Sequence, residues 1–171
     1  MSRTNKVLAL REGGNVRRAH TIPHRDEYTV GKHSYDVACI ILALHPSPSA
    51  ELLRACLLHD VPERWVGDIP ATAKWYNIRI GEAFDEAERA VQLKWDIEVE
   101  LNEEDLAWLH AADRVEFWLW CHDQLNSGNL HVQEAKLAVE HWMRMHWEEL
   151  PLYIQDFVDG FEWQRLPELK E

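Results

Sequence analysis

The sequence has few of the residues that build disulfide frameworks, and it has no apolar run long enough for a membrane span. Its 171 residues include three cysteines, seven glycines and seven prolines. No two of Cys39, Cys56 and Cys121 have CxxC spacing, so we expect inert core thiols. Transmembrane helices need roughly 20 apolar residues in succession, and residues 1–14 lack the apolar centre of a signal peptide. These absences predict a soluble, cytoplasmic protein without a membrane partner.

Positive charge is also scarce. The 18 Lys and Arg residues are outnumbered by 30 Asp and Glu residues, which gives a net charge of −12. Nucleic-acid backbones attract basic surfaces, so this balance argues against a nucleic-acid partner. A phosphate-bearing ligand would have to meet a local cluster of cations.

Helical periodicity and large aromatic residues are plentiful. Hydrophobic residues make up 46% of the chain, and nine tryptophans supply packing area. No repeat or Pro/Gly/Ser-rich linker divides the sequence, and no strand ladder is evident. We therefore predict one all-α domain over residues 1–171, with a core from about 14 to 150 and a helical tail over 151–171.

Capping residues predict about six helices. Ser47 before Pro48 suits an N-cap followed by a first helical position. Asn102 precedes three acidic residues, which favour the positive end of a helix dipole. Residues 61–77 contain two prolines and one glycine and are expected to be irregular. The predicted helices cover residues 33–44, 47–59, 80–97, 102–126 and 130–149, with a shorter helix near 153–163.

Four polar residues occupy core-facing positions in these helices. His33 begins the apolar stripe of the first helix, and His59 and Asp60 end that of the second. Asp113 lies where the stripe of the helix over 102–126 would place a leucine. An isolated buried carboxylate is costly unless it is paired or bound to a metal. These placements therefore require compensation.

Convergence of the four side chains would compensate their burial. Two imidazoles and two carboxylates form a nitrogen-and-oxygen site suited to Zn²⁺, Co²⁺, Mn²⁺ or Fe²⁺. Taken singly, each residue has an alternative role: His33 would cap a helix in solvent, and Asp113 would pair with an arginine (Arg17, Arg18 or Arg114). The combination of all four favours the metal site.

The same residues resemble the H…HD…D motif of the HD-domain superfamily. The run over 59–70, HDVPERWVGDIP, is similar to the HDxxE…GDxP signature of bacterial deoxynucleoside 5′-monophosphatases and their phage relatives. The segment over 14–18, GNVRR, resembles the arginine-bearing entry segment of these enzymes. The resemblance covers about residues 14–125 and implies a compact all-α HD-domain bundle with a buried metal site. The short phage dATP triphosphohydrolases are the nearest match.

Two positions depart from the family pattern. Lys32 stands before the first histidine, where the small family often has glutamate. Ala19 and His20 follow Arg18, where relatives often have a tryptophan that can stack on a base.

The resemblance implies a role for each candidate residue. Glu63 and Asp60 would be catalytic, with Glu63 acting as general base or orienting water; its alternative is to pair with an arginine. The expected metal ligands are His33, His59, Asp60 and Asp113. The expected phosphate contacts are Arg18, Lys74 and His110, although Lys74 as a surface residue and His110 as a packed imidazole are alternatives. The expected sugar and base contacts are Asp68, Ala19, His20, Thr21, Ile22, Thr72 and Trp75, although Asp68 would equally cap a turn.

The implied function is metal-dependent hydrolysis of deoxynucleotide 5′-phosphates. We favour a dATP-type triphosphohydrolase that releases deoxynucleoside and triphosphate, with a magnesium ion as an additional phosphate-bound metal. The alternative is a 5′-nucleotidase acting on deoxynucleoside monophosphates; a di-iron oxygenase and a non-catalytic nucleotide sensor are remote alternatives. The resemblance also implies a biological role, which is the clearance of one nucleotide from the nucleotide pool of a phage-infected bacterium. The Trp- and Met-bearing helix over 130–147 predicts a homo-oligomer.

Overall fold

The computed structural model describes residues 2–161, apart from the side chain of Trp75. Over these residues the chain forms nine α-helices and two 3-10 helices, and extended pairing is confined to one antiparallel bridge between Arg17 and Thr29. The predicted all-α class is confirmed, with more helices than the expected six. The α-helices are α1 Arg3–Gly13, α2 Val30–Leu44, α3 Ala50–Leu58, α4 Glu63–Val66, α5 Ala71–Tyr76, α6 Ile78–Trp95, α7 Glu103–Asn126, α8 Gln133–Met145 and α9 Leu152–Asp159; the 3-10 helices are Leu130–Val132 and Trp147–Glu149.

The extra helices are those with weak sequence signals. Helix α1 buries only Ala9 and Gly13, and its sequence shows little of the apolar periodicity by which a helix is recognised. Helices α4 and α5 have four and six residues, too few to show a period, and both follow a proline. The predicted irregular segment over 61–77 is therefore partly helical. The part of the predicted tail helix beyond residue 161 lies outside the described residues.

The start of α3 differs from the sequence prediction. Ser49, and not Ser47, is the N-cap, because its side chain accepts a hydrogen bond from Leu52 N–H at 2.9 Å. Ser49 Oγ also donates to Asp105 Oδ2 at 2.8 Å. This bond joins the beginnings of α3 and α7. The predicted N-cap of α7 is confirmed, since Asn102 accepts from Asp105 N–H at 2.8 Å.

The main core lies where α2, α3 and α7 pack together, and α8 also packs against α7. Val37 and Ile41 of α2 meet Leu52 of α3, and all three are fully buried. A second cluster contains Tyr28 and Trp120 with Cys121 and Val132. Both clusters lie along α7. This helix therefore positions side chains along its whole length.

The tryptophans and cysteines largely follow expectation. Trp118 and Trp120 are buried, in keeping with the packing area that the tryptophans were expected to supply. Cys56 and Cys121 are also buried, as expected for inert core thiols. Cys39 is partly exposed, so the expectation of a core thiol is met only in part at this position. None of the helices within residues 2–161 is long and apolar enough to cross a bilayer.

Candidate metal centre

The packing of α2, α3 and α7 brings the four predicted ligands together. His33 lies in the first turns of α2, where its N–H bonds to Thr29 O at 2.9 Å. His59 caps the end of α3 and Asp60 follows it, while Asp113 lies near the middle of α7. Each candidate ligand thus comes from a helix or its end. Such placement favours a preorganised site.

The donor atoms converge around His33 Nε2. This nitrogen lies 3.1 Å from Asp113 Oδ1, 3.3 Å from His59 Nε2 and 3.5 Å from Asp60 Oδ2. The donor atoms of His33, His59 and Asp60 all lie within 4.8 Å of one another. Asp113 borders this group through its contact with His33. The four side chains offer two nitrogen and two oxygen donors, a set that suits a divalent transition metal.

The orientation of both imidazoles fits a cation at the centre. His59 Nδ1 lies 3.0 Å from the carbonyl oxygen of Cys56, which can only accept, so Nδ1 carries a proton. His33 Nδ1 lies 2.5 Å from a carboxylate oxygen of Glu116. The two Nε2 atoms therefore face each other at 3.3 Å. Two facing lone pairs repel unless a proton or a metal cation lies between them.

The electrostatics of the centre also favour positive charge. Burial alone would raise the pKa of Asp60, but the charges of His59 and Arg18 hold it well below its usual range. Burial would likewise raise the pKa of Asp113, but the hydrogen bond to His33 lowers it. Burial disfavours protonated His59, yet the charge of Asp60 raises its pKa to about 9. The carboxylates are thus ionised and attract a proton or a metal.

Glu63 is a buried carboxyl group beside this cluster. Its Oε1 lies 3.6 Å from Arg18 Nη1, whereas its buried Oε2 has no hydrogen-bond partner among the described residues. Burial, followed by the negative charge of Asp60, raises the pKa of Glu63 to about 9. The ion pair with an arginine, which was the alternative role of Glu63, is present through one oxygen. The other oxygen stays available for a water or a ligand.

Arg18 brings a fixed cation to the centre. Its Nη1 contacts Asp60 Oδ2, and its Nη2 lies 3.8 Å from Asp113 Oδ1. Burial would lower the pKa of Arg18, but these carboxylates outweigh burial and the pKa lies well above its usual value. Arg114 Nη1 also lies 3.4 Å from Asp113 Oδ2. Asp113 therefore faces both His33 and two arginines.

Asp68 holds the segment that follows Arg18. Its Oδ2 accepts the Ala19 N–H at 3.1 Å and lies 3.3 Å from His20 Nδ1. Ala19 has a φ of 51°, in the left-handed region that alanine rarely adopts. This carboxylate therefore stabilises an unusual backbone turn beside the metal centre. Thr21 is exposed, and Ile22 packs against the second core cluster.

The remaining predicted contacts lie on α5 and α7. Lys74 Nζ is 3.6 Å from Asp85 Oδ1 on α6, and Thr72 is exposed. His110 is exposed one turn before Asp113, yet its ring is partly shielded from water by the neighbouring groups, and this desolvation outweighs the charge of Asp113 and lowers the pKa of His110. The side chain of Trp75 lies outside the described part of the chain. Contacts of these residues with a nucleotide stay predictions.

Two residues of the centre are absent from the sequence prediction. Glu116 Oε2 accepts a hydrogen bond from Tyr28 Oη at 2.5 Å and lies 2.5 Å from His33 Nδ1. Both residues are buried. The three-residue spacing between Asp113 and Glu116 was an available signal, because it places both carboxylates on one face of α7.

Comparisons with known proteins identify a family, similar sequences and a similar fold. A family model described as 5′-deoxynucleotidase YfbR-like matches residues 9–161. A 5′-deoxynucleotidase of Pectobacterium atrosepticum is 26% identical, over 77% of this chain and 79% of the relative. One of an Enterobacter species is 27% identical, over 78% of this chain and 79% of the relative. The crystal structure of the PH0347 protein from Pyrococcus horikoshii has a TM-score of 0.69 and 21% identity, covering 91% of this chain and 96% of that one, and supports the fold.

Proposed function

This chain belongs to the YfbR-like 5′-deoxynucleotidase family of HD-domain phosphohydrolases, and from that premise we propose that it hydrolyses deoxynucleoside 5′-monophosphates. The products would be a deoxynucleoside and inorganic phosphate. The observation that carries the proposal is the convergence of His33, His59 and Asp60 beside the buried Glu63.

The donor set supports a divalent metal held by His33, His59, Asp60 and Asp113. When bound, such an ion supplies Lewis acidity, which activates water and neutralises charge on a phosphoryl oxygen. Zn²⁺, Co²⁺, Mn²⁺ and Fe²⁺ all suit two imidazoles and two carboxylates. A magnesium ion on the substrate phosphate stays an additional prediction.

Glu63 is proposed to take the proton of the attacking water. Its Oε2 is buried and unpartnered within the described residues, and a cation held by the neighbouring ligands would offset its raised pKa and favour the ionised carboxylate, which can accept a proton. The water oxygen would bond to phosphorus, the bond between phosphorus and the 5′-oxygen would break, and that oxygen would leave on the deoxynucleoside with the proton that Glu63 took from the water. No nucleophilic serine or cysteine is needed.

Arg18 is proposed to bind the phosphate. It already lies among Asp60, Glu63 and Asp113, and its guanidinium can offer two parallel donors to phosphate oxygens. Lys74 and His110 are proposed as weaker contacts from the α5 and α7 sides. Asp68 supports the turn at Ala19, and we propose that a deoxyribose hydroxyl would share its carboxylate.

The triphosphohydrolase that the sequence favoured is less well supported than this alternative. The curated relatives reported above carry the name 5′-deoxynucleotidase, and they are bacterial enzymes. The ligands alone do not distinguish the two reactions, because both break the bond between the 5′-oxygen and the α-phosphorus. The phosphohydrolase family also argues against the oxygenase and sensor alternatives. Action in the cytoplasm, with or without a phage, stays a prediction.

Product chromatography would decide between the substrates. Purified protein is incubated with Co²⁺ or Mn²⁺ and each dNMP and dNTP, beside a His59→Ala control. We expect deoxynucleoside and phosphate from monophosphates, and no product from the control. Release of triphosphate from a dNTP with monophosphates untouched would overturn the proposal in favour of the triphosphohydrolase. Absence of any metal-dependent product would reject both.

A further inference from the structure

We propose that Glu116 and Tyr28 are a positioning pair, which holds His33 in its metal-binding orientation and connects it to the segment that carries Arg18. This inference rests on the metal site of the proposed function and adds two residues that do not touch substrate.

The first step concerns the ring of His33. Glu116 Oε2 lies 2.5 Å from His33 Nδ1, and a carboxylate can only accept. The proton of the neutral imidazole is therefore on Nδ1, which leaves the Nε2 lone pair facing Asp113 and His59. A histidine that ligates a metal commonly donates its other N–H to a carboxylate, which fixes the ring and raises its basicity.

The second step concerns the cost of burying Glu116. This carboxylate is 3% exposed, and among the described residues its ion pair is with His33. A buried charge needs a compensating charge. His33 would supply part of this compensation, because a cation held at its Nε2 would make the Nδ1–H a stronger donor to Glu116.

The third step concerns Tyr28, which donates its hydroxyl hydrogen to the same Oε2 at 2.5 Å. Its ring is 1% exposed and stacks on Trp120, with ring centroids 4.6 Å apart and planes 14° apart. This packing fixes the position of the hydroxyl group. Glu116 is therefore held from one side by Tyr28 while it holds His33 on the other.

Tyr28 also contacts Arg18 in two ways. Its carbonyl oxygen accepts the Arg18 N–H at 2.9 Å, and the Arg18 guanidinium lies 5.8 Å from the centroid of the tyrosine ring. One residue thus connects the cation proposed for phosphate binding with a proposed metal ligand. A buried pair that served stability alone would not require this connection.

The test measures metal affinity and not only activity. The dissociation constant for Co²⁺ is obtained by titration of purified, metal-stripped protein against a competing chelator. We expect Glu116→Gln to weaken Co²⁺ binding by about 10–100-fold. Tyr28→Phe keeps the stacked ring and loses only the hydroxyl, so a severalfold loss is expected. If the two residues act as a unit, the double variant loses less than the product of the single losses.

Glu140→Gln is the matched control. Glu140 accepts a hydrogen bond from Trp118 at 3.2 Å and contacts Lys136, so it is a paired glutamate on α8 that none of the described contacts joins to the metal ligands. Its loss should leave the Co²⁺ dissociation constant unchanged. Thermal unfolding of the metal-free forms separates positioning from folding, since a purely structural role lowers the unfolding temperature without changing the affinity of folded protein.

Two outcomes would overturn the inference. One is a Co²⁺ dissociation constant within twofold of native for folded Glu116→Gln. If Glu116→Gln does not fold, an unchanged Co²⁺ dissociation constant in Tyr28→Phe would overturn the inference instead. Failure of the proposed function would look different from failure of this inference. In that case the native protein would bind Co²⁺ but would not hydrolyse any dNMP. Native protein that binds no metal would reject both.

Discussion

At the residue scale, the environment of a side chain decides its chemistry. Glu63 and Glu12 have the same carboxyl group, but Glu12 is exposed beside Arg64, whereas Glu63 is buried beside Asp60. Burial and like charge give Glu63 a proton affinity that an exposed glutamate lacks. The candidate base is therefore defined by its surroundings.

Replacement of Glu63 by glutamine should separate catalysis from metal binding. We expect Glu63→Gln to lower kcat for dNMP hydrolysis by about 10²–10⁴-fold, the usual contribution of general acid–base catalysis. Bound metal should be unchanged, since Glu63 is not among the four proposed ligands. Steady-state kinetics and metal analysis of one preparation check both expectations. A kcat within tenfold of native would exclude Glu63 as the base.

The cysteines predict a pH dependence of thiol reactivity. Burial raises the pKa of Cys56 to about 11 and of Cys121 to about 12, while Cys39 is partly exposed. The thiolate is the reactive form, so at pH 8 only about a thousandth of Cys56 would be reactive even if it were accessible. Titration of native protein with a disulfide reagent should give one fast thiol, and the two slow ones should react faster as pH rises.

Two comparisons check the thiol assignment. Cys39→Ser should remove the fast phase, and denaturant should make all remaining thiols fast. Two or more fast thiols in native protein at pH 8 would contradict the burial of Cys56 and Cys121.

At the element scale, the sequence located helices better than it located their ends. Ser47 and Ser49 both suit an N-cap by type, and the sequence favoured Ser47 because Pro48 follows it. In the structure Ser49 caps α3, and its hydroxyl also bonds to Asp105 of α7. A contact from another helix thus distinguishes the two serines.

Matched alanine substitutions would test this cap. Ser49→Ala removes bonds to Leu52 N–H and to Asp105, so we expect unfolding free energy to fall by about 1–2 kcal/mol. Ser47→Ala should change it by less than about 0.5 kcal/mol, as usual for an exposed site. Urea unfolding of both variants measures the difference. Equal losses would argue that Ser47 shares the capping role.

At the scale of the whole molecule, stability should depend on the metal. The proposed ligands come from α2, the end of α3 and α7, so a bound ion would hold the main core together. An ion at about 100 times its dissociation constant stabilises the folded state by about 2.7 kcal/mol, which corresponds to a rise of roughly 5–10 °C in Tm. Chelator should lower Tm by this amount and Co²⁺ should restore it. His59→Ala should show no such response, and a metal-independent native Tm would count against the site.

The homo-oligomer stays a prediction at this scale. Trp142 packs against the core and Met143 is buried, which accounts for part of the apolar content of α8. Leu137 and Met145 remain exposed. Light scattering should give a mass that is a multiple of the 20.1 kDa chain, and a mass of one chain would show that these residues do not assemble the protein.

The sequence by itself determined the helical class and the candidate ligands. Helical periodicity is a local property, and His33, His59-Asp60 and Asp113 are polar residues at apolar positions, which can be recognised without coordinates. Glu63 followed from the resemblance of the run over 59–70 to the HDxxE signature, which places it three residues after Asp60. These inferences need only spacing along one helix at a time.

Only the tertiary structure decided the partners of those residues. Glu116 meets His33 across 83 residues of sequence, and Tyr28 meets Glu116 across 88. The raised pKa of Glu63 and the contacts of Arg18 likewise depend on which charges burial places side by side. Periodicity tells which side chains point inward, but not which helices meet, because that choice depends on packing of the whole chain.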